Sequence, residues 1–171
     1  MTEFIPLKSG DHKTITNVDK SGYGYLVAKA SQTRNQMLVI CQSIQQARLL
    51  QTQTEFYLGE TDTTCYAFAD WEILPYDSFS PHQDIISERI ELLANLQDHQ
   101  PKIIFASVNT LLHQLCPTDF IFEHSFQLAN NQLFDEKEFR QQLIQAGYQA
   151  VDNVYEHGQF AIRGAIIDVF P

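Results

Sequence analysis

Three stretches of this chain carry residue types that could do chemistry. The first is Lys20-Ser21-Gly22-Tyr23-Gly24, its nearest approach to a phosphate-binding loop. Such a loop reads G-x-x-x-x-G-K-[ST]: the lysine reaches the β- and γ-phosphates and the hydroxyl ligates Mg²⁺. If Gly22 stands for the glycine before that lysine, Tyr23 takes the lysine's place and Gly24 the hydroxyl's. A helix N-terminus without either is a weak anion site. No strand ends in D-E-x-x to hold Mg²⁺. The expectation is a degenerate phosphate loop, no ATP hydrolysis and no cofactor bound by this chain.

The second stretch is Asp70–Arg89, D-W-E-I-L-P-Y-D-S-F-S-P-H-Q-D-I-I-S-E-R. Asp70 and Glu72 could act as a general acid–base pair; their ordinary reading is as carboxylates solvating the mouth of a loop. Pro75 and Pro81 forbid a continuous helix or a central strand. Trp71, Tyr76 and Phe79 could stack on nucleobases. No lysine or arginine falls between Arg48 and Arg89, so that reading lacks its electrostatic half. The expectation is a long ordered loop packed on a scaffold, with His82 as a loop hydrogen-bonder and Glu88-Arg89 as ordinary surface charge.

The third is Arg163, one of three basic residues after position 117, in an apolar strand-like run and followed by Gly164. It reads either as an edge-strand arginine that snorkels to water or as an anchor for a partner's carboxylate.

Composition narrows the classes. The formal net charge is −10. Residues 1–117 carry 8 basic and 13 acidic groups, and 118–171 carry 3 and 8, so each part comes to −5. That argues against a broad nucleic-acid footprint, which needs clustered Lys and Arg, and favours a protein partner. Cys41, Cys65 and Cys116 have no metal-ligand spacing, and the six histidines form no H-E-x-x-H or Cys/His cluster. Reduced, buried, inert thiols and no metal site are expected. No apolar run reaches the roughly 18 residues of a membrane span. The first residues lack a signal peptide's charged and apolar pattern. A cytoplasmic protein is expected.

The elements that must position these residues follow from periodicity. Apolar runs at 37–41, 65–69 and 102–106 predict buried parallel strands. Helices are predicted from Ser21 to about Ala30, from Ser43 to about Leu58 with Gly59 as its stop, and from near Asp84 along Ile86, Ile90 and Leu93. Ser107 or Asn109 caps a short helix through Leu111, Leu112 and Leu115. This alternation predicts an α/β domain over 1–117: a parallel sheet layered with helices, resembling the nucleotide-binding core of P-loop NTPases.

Residues 118–171 predict a small α+β domain. Phe120–Leu128 reads as a half-buried strand. Asp135–Glu138 is a capping box with Phe134 and Phe139 as a hydrophobic staple, and Gly147 is the helix stop. Val151–Tyr155 and Gln159–Phe170 read as two strands turning at His157-Gly158. The last strand has nothing after it to pair with, so the domain reads as truncated, cut from something longer.

Four blocks resemble the N-terminal region of bacterial transcription-repair coupling factors: A-D-W-E-I-L-P-Y-D-S-F-S-P-H-Q-D-I-I-S-E-R (69–89), V-N-T-L-L-H-Q-L-C-P (108–117), A-G-Y (146–148) and E-H-G-Q-F-A-I-R-G-A-I-I-D-V-F-P (156–171). Trp71, Pro75, Tyr76, Phe79 and Pro81 form the signature of the first block. The element order also resembles the excision-repair subunit UvrB. The resemblance implies a UvrB-like α/β domain (first part, 1–117) that has lost its ATP site, and a UvrA-binding-type domain (first part, 118–171). It implies recruitment of UvrA where RNA polymerase has stalled at DNA damage. It implies that the full-length protein is a translocase using ATP and Mg²⁺ to act on DNA and displace RNA polymerase. Within F-A-I-R-G, Arg163 matches a UvrA-contacting arginine; His157 stands where UvrB-like sequences tend to carry arginine. The alternative is a degenerate NTPase or helicase domain that contributes to DNA binding.

Overall fold

A computed structural model describes residues 8–74, 76–125, 128–133 and 135–171. In chain order the elements are α1 (Gly22–Ser31), β1 (Gln36–Cys41), α2 (Ile44–Leu58), β2 (Thr64–Phe68), α3 (Gln83–Ala94), a 3-10 turn (Asn95–Gln97), β3 (Lys102–Ser107), α4 (Val108–Leu112), α5 (Thr118–Glu123), α6 (Glu136–Gln145), β4 (Gln149–Ala150), β5 (Gln159–Arg163) and β6 (Ile166–Phe170). They divide into two compact units. One runs up to Leu74 and adds Asn95–Leu115; the other joins Pro75–Ala94 to Cys116–Pro171. The sequence placed α3 in the first layered domain, whereas its contacts group it with the later elements.

The first unit is α/β. Its three strands are parallel in the order β1-β3-β2, so β3, last in sequence, fills the centre. Alternation then sorts the side chains. Met37, Val39, Cys41, Cys65, Ile103 and Phe105 pack with Ile44, Ala47, Leu50 and Leu58 of α2 and Val27 of α1. Ile103 and Phe105 are fully buried, as the middle strand of a covered sheet requires. On the opposite face of β1, Leu38 and Ile40 are exposed.

The helix ends follow side-chain chemistry. Ser43 Oγ accepts the Gln46 N–H at 3.2 Å, and Ser107 Oγ accepts that of Thr110 at 3.1 Å. Gly59, at φ +63°, ends α2. At the N-terminus of β3 the buried Lys102 ammonium donates to the carbonyls of Asn95 and Asp98 and to the Asp98 carboxylate. That hydrogen bond holds the Asp98 carboxyl below the usual carboxylate range.

Gly24 packs directly on α2: a Cβ there would lie 2.5 Å from Gln53 Cβ and 2.8 Å from the Gln53 carbonyl carbon. Glycine lets the two helices approach. Among the described residues no strand leads into α1, whereas a phosphate loop runs from a strand into its helix. The α/β layering is present; the phosphate-loop likeness gains no support from this geometry.

The second unit carries a mixed sheet, β4-β5-β6, with β4–β5 parallel and β5–β6 antiparallel. Phe160, Ile162, Ile167 and Val169 of its inner face pack with Phe139 and Leu143 of α6 and with Tyr148. Asp135 caps α6, its carboxylate accepting the N–H groups of Lys137 and Glu138 at 2.7 and 3.1 Å. Tyr148 N–H donates to the Leu143 carbonyl and Gly147 N–H to that of Ile144, with Gly147 at φ +90°. That pattern is the Schellman stop. Phe134, the other half of the expected staple, lies outside the described residues.

Four expectations change. The described part of Phe120–Leu128 is not a strand: Thr118–Glu123 is a helix, starting just after Pro117, and Phe120 stacks on His124 one turn on, at 4.3 Å; residues 126 and 127 lie outside the described residues. Val151–Tyr155 is not a strand either, since the extended pairing ends at Ala150. Residues 159–170 form two strands, because Gly164, at φ +61°, makes a two-residue turn closed by the Arg163–Ile166 pair. The last strand therefore has a partner, β5. Finally, the buried positions of α3 are Arg89 and Leu92, while Ile90 is exposed. Arg89 is thus not surface charge; its long apolar stem suits a buried stripe.

Candidate partner-binding surface

Period-two alternation decides what the β5–β6 hairpin displays. Phe160, Ile162, Ile167 and Val169 point into the α6 core, so Ala161, Arg163, Ile166 and Asp168 share the other face. Arg163 pairs across the strands with Ile166, and Asp168 with Ala161, so Arg163 and Asp168 are diagonal neighbours on one face. The Arg163 guanidinium donates through Nη2 to the Asp168 carboxylate. The Arg163 side chain is 55% exposed and that of Asp168 is 40% exposed. Beside them lies an open cavity of about 560 Å³, lined by Asn153, Val154, Tyr155, Arg163 and β6. Exposed Ile166 and Tyr155 add apolar surface around the charge.

His157, the other expected contact, is engaged by α3 and the end of β6. Its side chain is only 20% exposed, and its ring packs 4.1 Å from that of Phe170. Nε2 lies 2.8 Å from the Asp84 carboxylate, and Nδ1 meets the Pro171 carbonyl, with Ser87 Oγ 3.1 Å away. With both nitrogens protonated the ring donates to the carboxylate and the carbonyl; in the neutral form Nδ1 instead accepts from the Ser87 hydroxyl. The bond to Pro171, and then the hydrogen bond and charge of Asp84, raise the His157 pKa above the ordinary imidazole value, against the desolvation that lowers it. His157 thus ties the hairpin base to the first turn of α3. His82 caps the same helix: its carbonyl accepts the N–H groups of Ile85 and Ile86, and its Nδ1 accepts that of Asp84 at 3.3 Å.

The signature loop is less packed than its composition suggests. Trp71 and Pro81 are half-buried, whereas Tyr76 is fully exposed and Phe79 is 75% exposed. Tyr76, at φ +72°, and Glu72, at φ +55°, sit in the left-handed region. The exposure of Tyr76 and Phe79 corrects the packed-loop expectation for these two aromatics. Pro75 lies outside the described residues.

The remaining candidates do not converge. Asp70 and Glu72 line a cavity of about 500 Å³ with Ser43, Ile44, Gln45, Ser107 and Asn109 at the carboxyl ends of the parallel strands. The Asp70 carboxylate there accepts the Trp71 N–H at 2.9 Å. Gly22 and Tyr23 stand apart from that crevice: Tyr23 lines a groove of about 820 Å³ whose walls include Leu26, Val27, Leu49 and Leu50. Among the described residues lining it, Lys20 is the only lysine or arginine. An apolar groove with one cation lacks the donor array that a triphosphate requires.

Burial raises the Cys41 thiol pKa; burial and then the Glu55 charge push Cys65 up to about 12. Both stay protonated and unreactive. Cys116 is exposed, contrary to the expectation of buried thiols. Among the described residues no group of three or more His, Cys, Asp or Glu could hold a metal ion. Nor is any described helix long and apolar enough to cross a membrane.

Sequence reading singled out Arg163 and missed Asp168, Asp84 and Ser87. The missing signal for Asp168 was the turn at Gly164: once the chain reverses there, the two-residue period puts residues 163 and 168 on one face.

Comparison with known proteins bears on this surface. Residues 126–171 match the family described as UvrB interaction domain. Transcription-repair-coupling factors of Escherichia coli K12 and Haemophilus influenzae are 38% and 36% identical over 98% of this chain. That of Staphylococcus haemolyticus is 27% identical over 92%. The chain spans 14% of the length of the first two and 13% of the third.

Proposed function

We propose that this chain, which matches the N-terminal region of transcription-repair coupling factors, is a non-catalytic module that recruits UvrA where RNA polymerase has stalled at DNA damage. One observation carries the reading. Inside the segment that matches the UvrB interaction domain, a hairpin displays a half-exposed arginine on the face its core does not need. Arginine pairs bidentately with carboxylates and is enriched at binding hot spots. Residues 1–117 are then the first part of a UvrB-like domain, and 118–171 the first part of a UvrA-binding-type domain. Arg163 is the anchor, and His157 acts by holding the hairpin to α3.

The non-catalytic part rests on Tyr23 in place of a lysine and on Gly24, whose Cβ position Gln53 occupies. A hydroxyl side chain there would collide with α2 rather than reach a metal ion. In the full-length factor, ATP and Mg²⁺ serve a DNA translocase outside this chain, which displaces RNA polymerase. The module itself works in the cytoplasm.

Calorimetric titration against UvrA tests the recruitment. Arg163→Glu should cost about 2–5 kcal/mol of binding, as breaking a charge pair desolvated at an interface does. Unchanged affinity for that variant overturns the anchor. ATP turnover abolished by substitution at Gly22 or Gly24, or tight duplex binding with a steep salt slope, would favour the NTPase or DNA-binding alternative.

A further inference from the structure

We infer that Asp168 is a positioning residue, fixing the Arg163 guanidinium so that its free edge meets a carboxylate on the protein partner. The inference rests on the recruitment reading and names a second residue of that surface. Arg163 closes a two-residue turn, and its backbone is held by the pair with Ile166. Its side chain projects from the face opposite the α6 core and is 55% exposed. Left alone there, a long flexible side chain samples many rotamers, and ordering it on binding opposes association. Among the described residues its one hydrogen-bond partner is Asp168.

That bond uses Nη2 alone and leaves Nε and Nη1 without a partner among the described residues. A guanidinium offers five N–H donors in a planar fork. Nη2 carries two N–H groups, so with one given to Asp168 the other still forms a two-donor edge with Nε or Nη1, which matches the bidentate geometry of a carboxylate. Asp168 is itself fixed: its neighbours Ile167 and Val169 are packed against the α6 core, and its backbone stands in register with Ala161. The orientation of Arg163 is thus set by the buried side of the same hairpin.

The partner chemistry follows. A lone carboxylate arriving at Arg163 also meets the negative charge of Asp168. The surface therefore suits a protein face that presents a carboxylate to the fork and a hydrogen-bond donor or cation to Asp168.

The test titrates UvrA with the chain and three variants, Asp168→Ala, Asp168→Asn and Arg163→Ala, plus the Asp168→Ala/Arg163→Ala double variant, each with its thermal melt recorded. Asp168→Ala should weaken binding roughly threefold to tenfold, the cost of ordering one long side chain, and should raise the dissociation rate. Asp168→Asn keeps an acceptor for Nη2 and should restore most of the affinity. In the Arg163→Ala background, Asp168→Ala should change nothing further.

Asp168→Ala binding as tightly as wild type, or tighter, overturns the inference, because Asp168 would then be idle or a competitor for Arg163. An equal loss in both backgrounds also overturns it. If Arg163→Ala alone binds like wild type, the anchor role falls and takes the positioning role with it, whereas failure of the unsubstituted chain to bind UvrA overturns the recruitment reading itself. Arg163→Ala weakened with Asp168→Ala unaffected removes only the positioning role.

Discussion

The two sheets divide burial and display differently. In the first unit the centre of the sheet is apolar: Ile103 and Phe105 of β3 are fully buried, and α1 and α2 cover that face. Polar groups collect at the strand ends, in the crevice of Asp70, Glu72, Ser107 and Asn109, where no lysine or arginine joins them among the described residues. In the second unit one face of β5–β6 supplies the core and the other carries Arg163 and Asp168 in mid-surface. A charged side chain can be displayed from a sheet only where the opposite face suffices for stability. The smaller unit meets that condition through Phe139, Leu143 and Phe160.

Substitution should sharpen this contrast. The largest effect is expected at the centre of the covered sheet: Phe105→Ala should cost about 3–5 kcal/mol of stability in a urea titration. A cost under about 1 kcal/mol would mean that this sheet is not packed as described. Next comes the approach of α1 to α2. Gly24→Ala places a methyl against the Gln53 backbone and should cost about 1–3 kcal/mol. A neutral result would reopen the phosphate-loop reading of Gly24, since the close approach would then be dispensable.

The smallest effect is expected at His157, and it has a sign. Because its folded pKa is raised above the ordinary 6.5, the link to Asp84 and Pro171 contributes fully below that value. The contribution is lost as pH rises through the folded pKa. Urea midpoints should therefore drop for wild type relative to His157→Gln across that window. Parallel profiles for the two proteins would show that the imidazolium adds nothing to the hold on α3.

Much of this was legible from sequence where one local rule sufficed. The runs at 37–41, 65–69 and 102–106 became β1, β2 and β3. Ser43, Gly59, Asp135 and Gly147 mark helix ends because caps and stops act within a few residues. What failed depended on distant partners. The strand expected from Val151 stops at Ala150, for β4 pairs only at Gln149 and Ala150. Phe120–Glu123 took helical form although the alternation over Phe120–Leu128 suggested a strand, since pattern alone does not fix a short segment. Leu74, Tyr76 and Phe79 looked too apolar to be free, yet they are exposed, Tyr76 in a left-handed backbone conformation. Arg163 was singled out as an isolated cation in an apolar run, while Asp168 looked like one acid among many until the turn at Gly164 set the two on one face.

That turn has a consequence for how the hairpin can vary in length. Side-chain direction alternates every residue, so one residue inserted within β6 would exchange the two faces beyond it. Asp168 would enter the core, and a core side chain would stand beside Arg163. Insertions of that kind should be rare among functional relatives, whereas changes of residue type on the outer face are tolerated by the fold. The hairpin therefore constrains the count of residues between Arg163 and Asp168 more tightly than it constrains most of their identities.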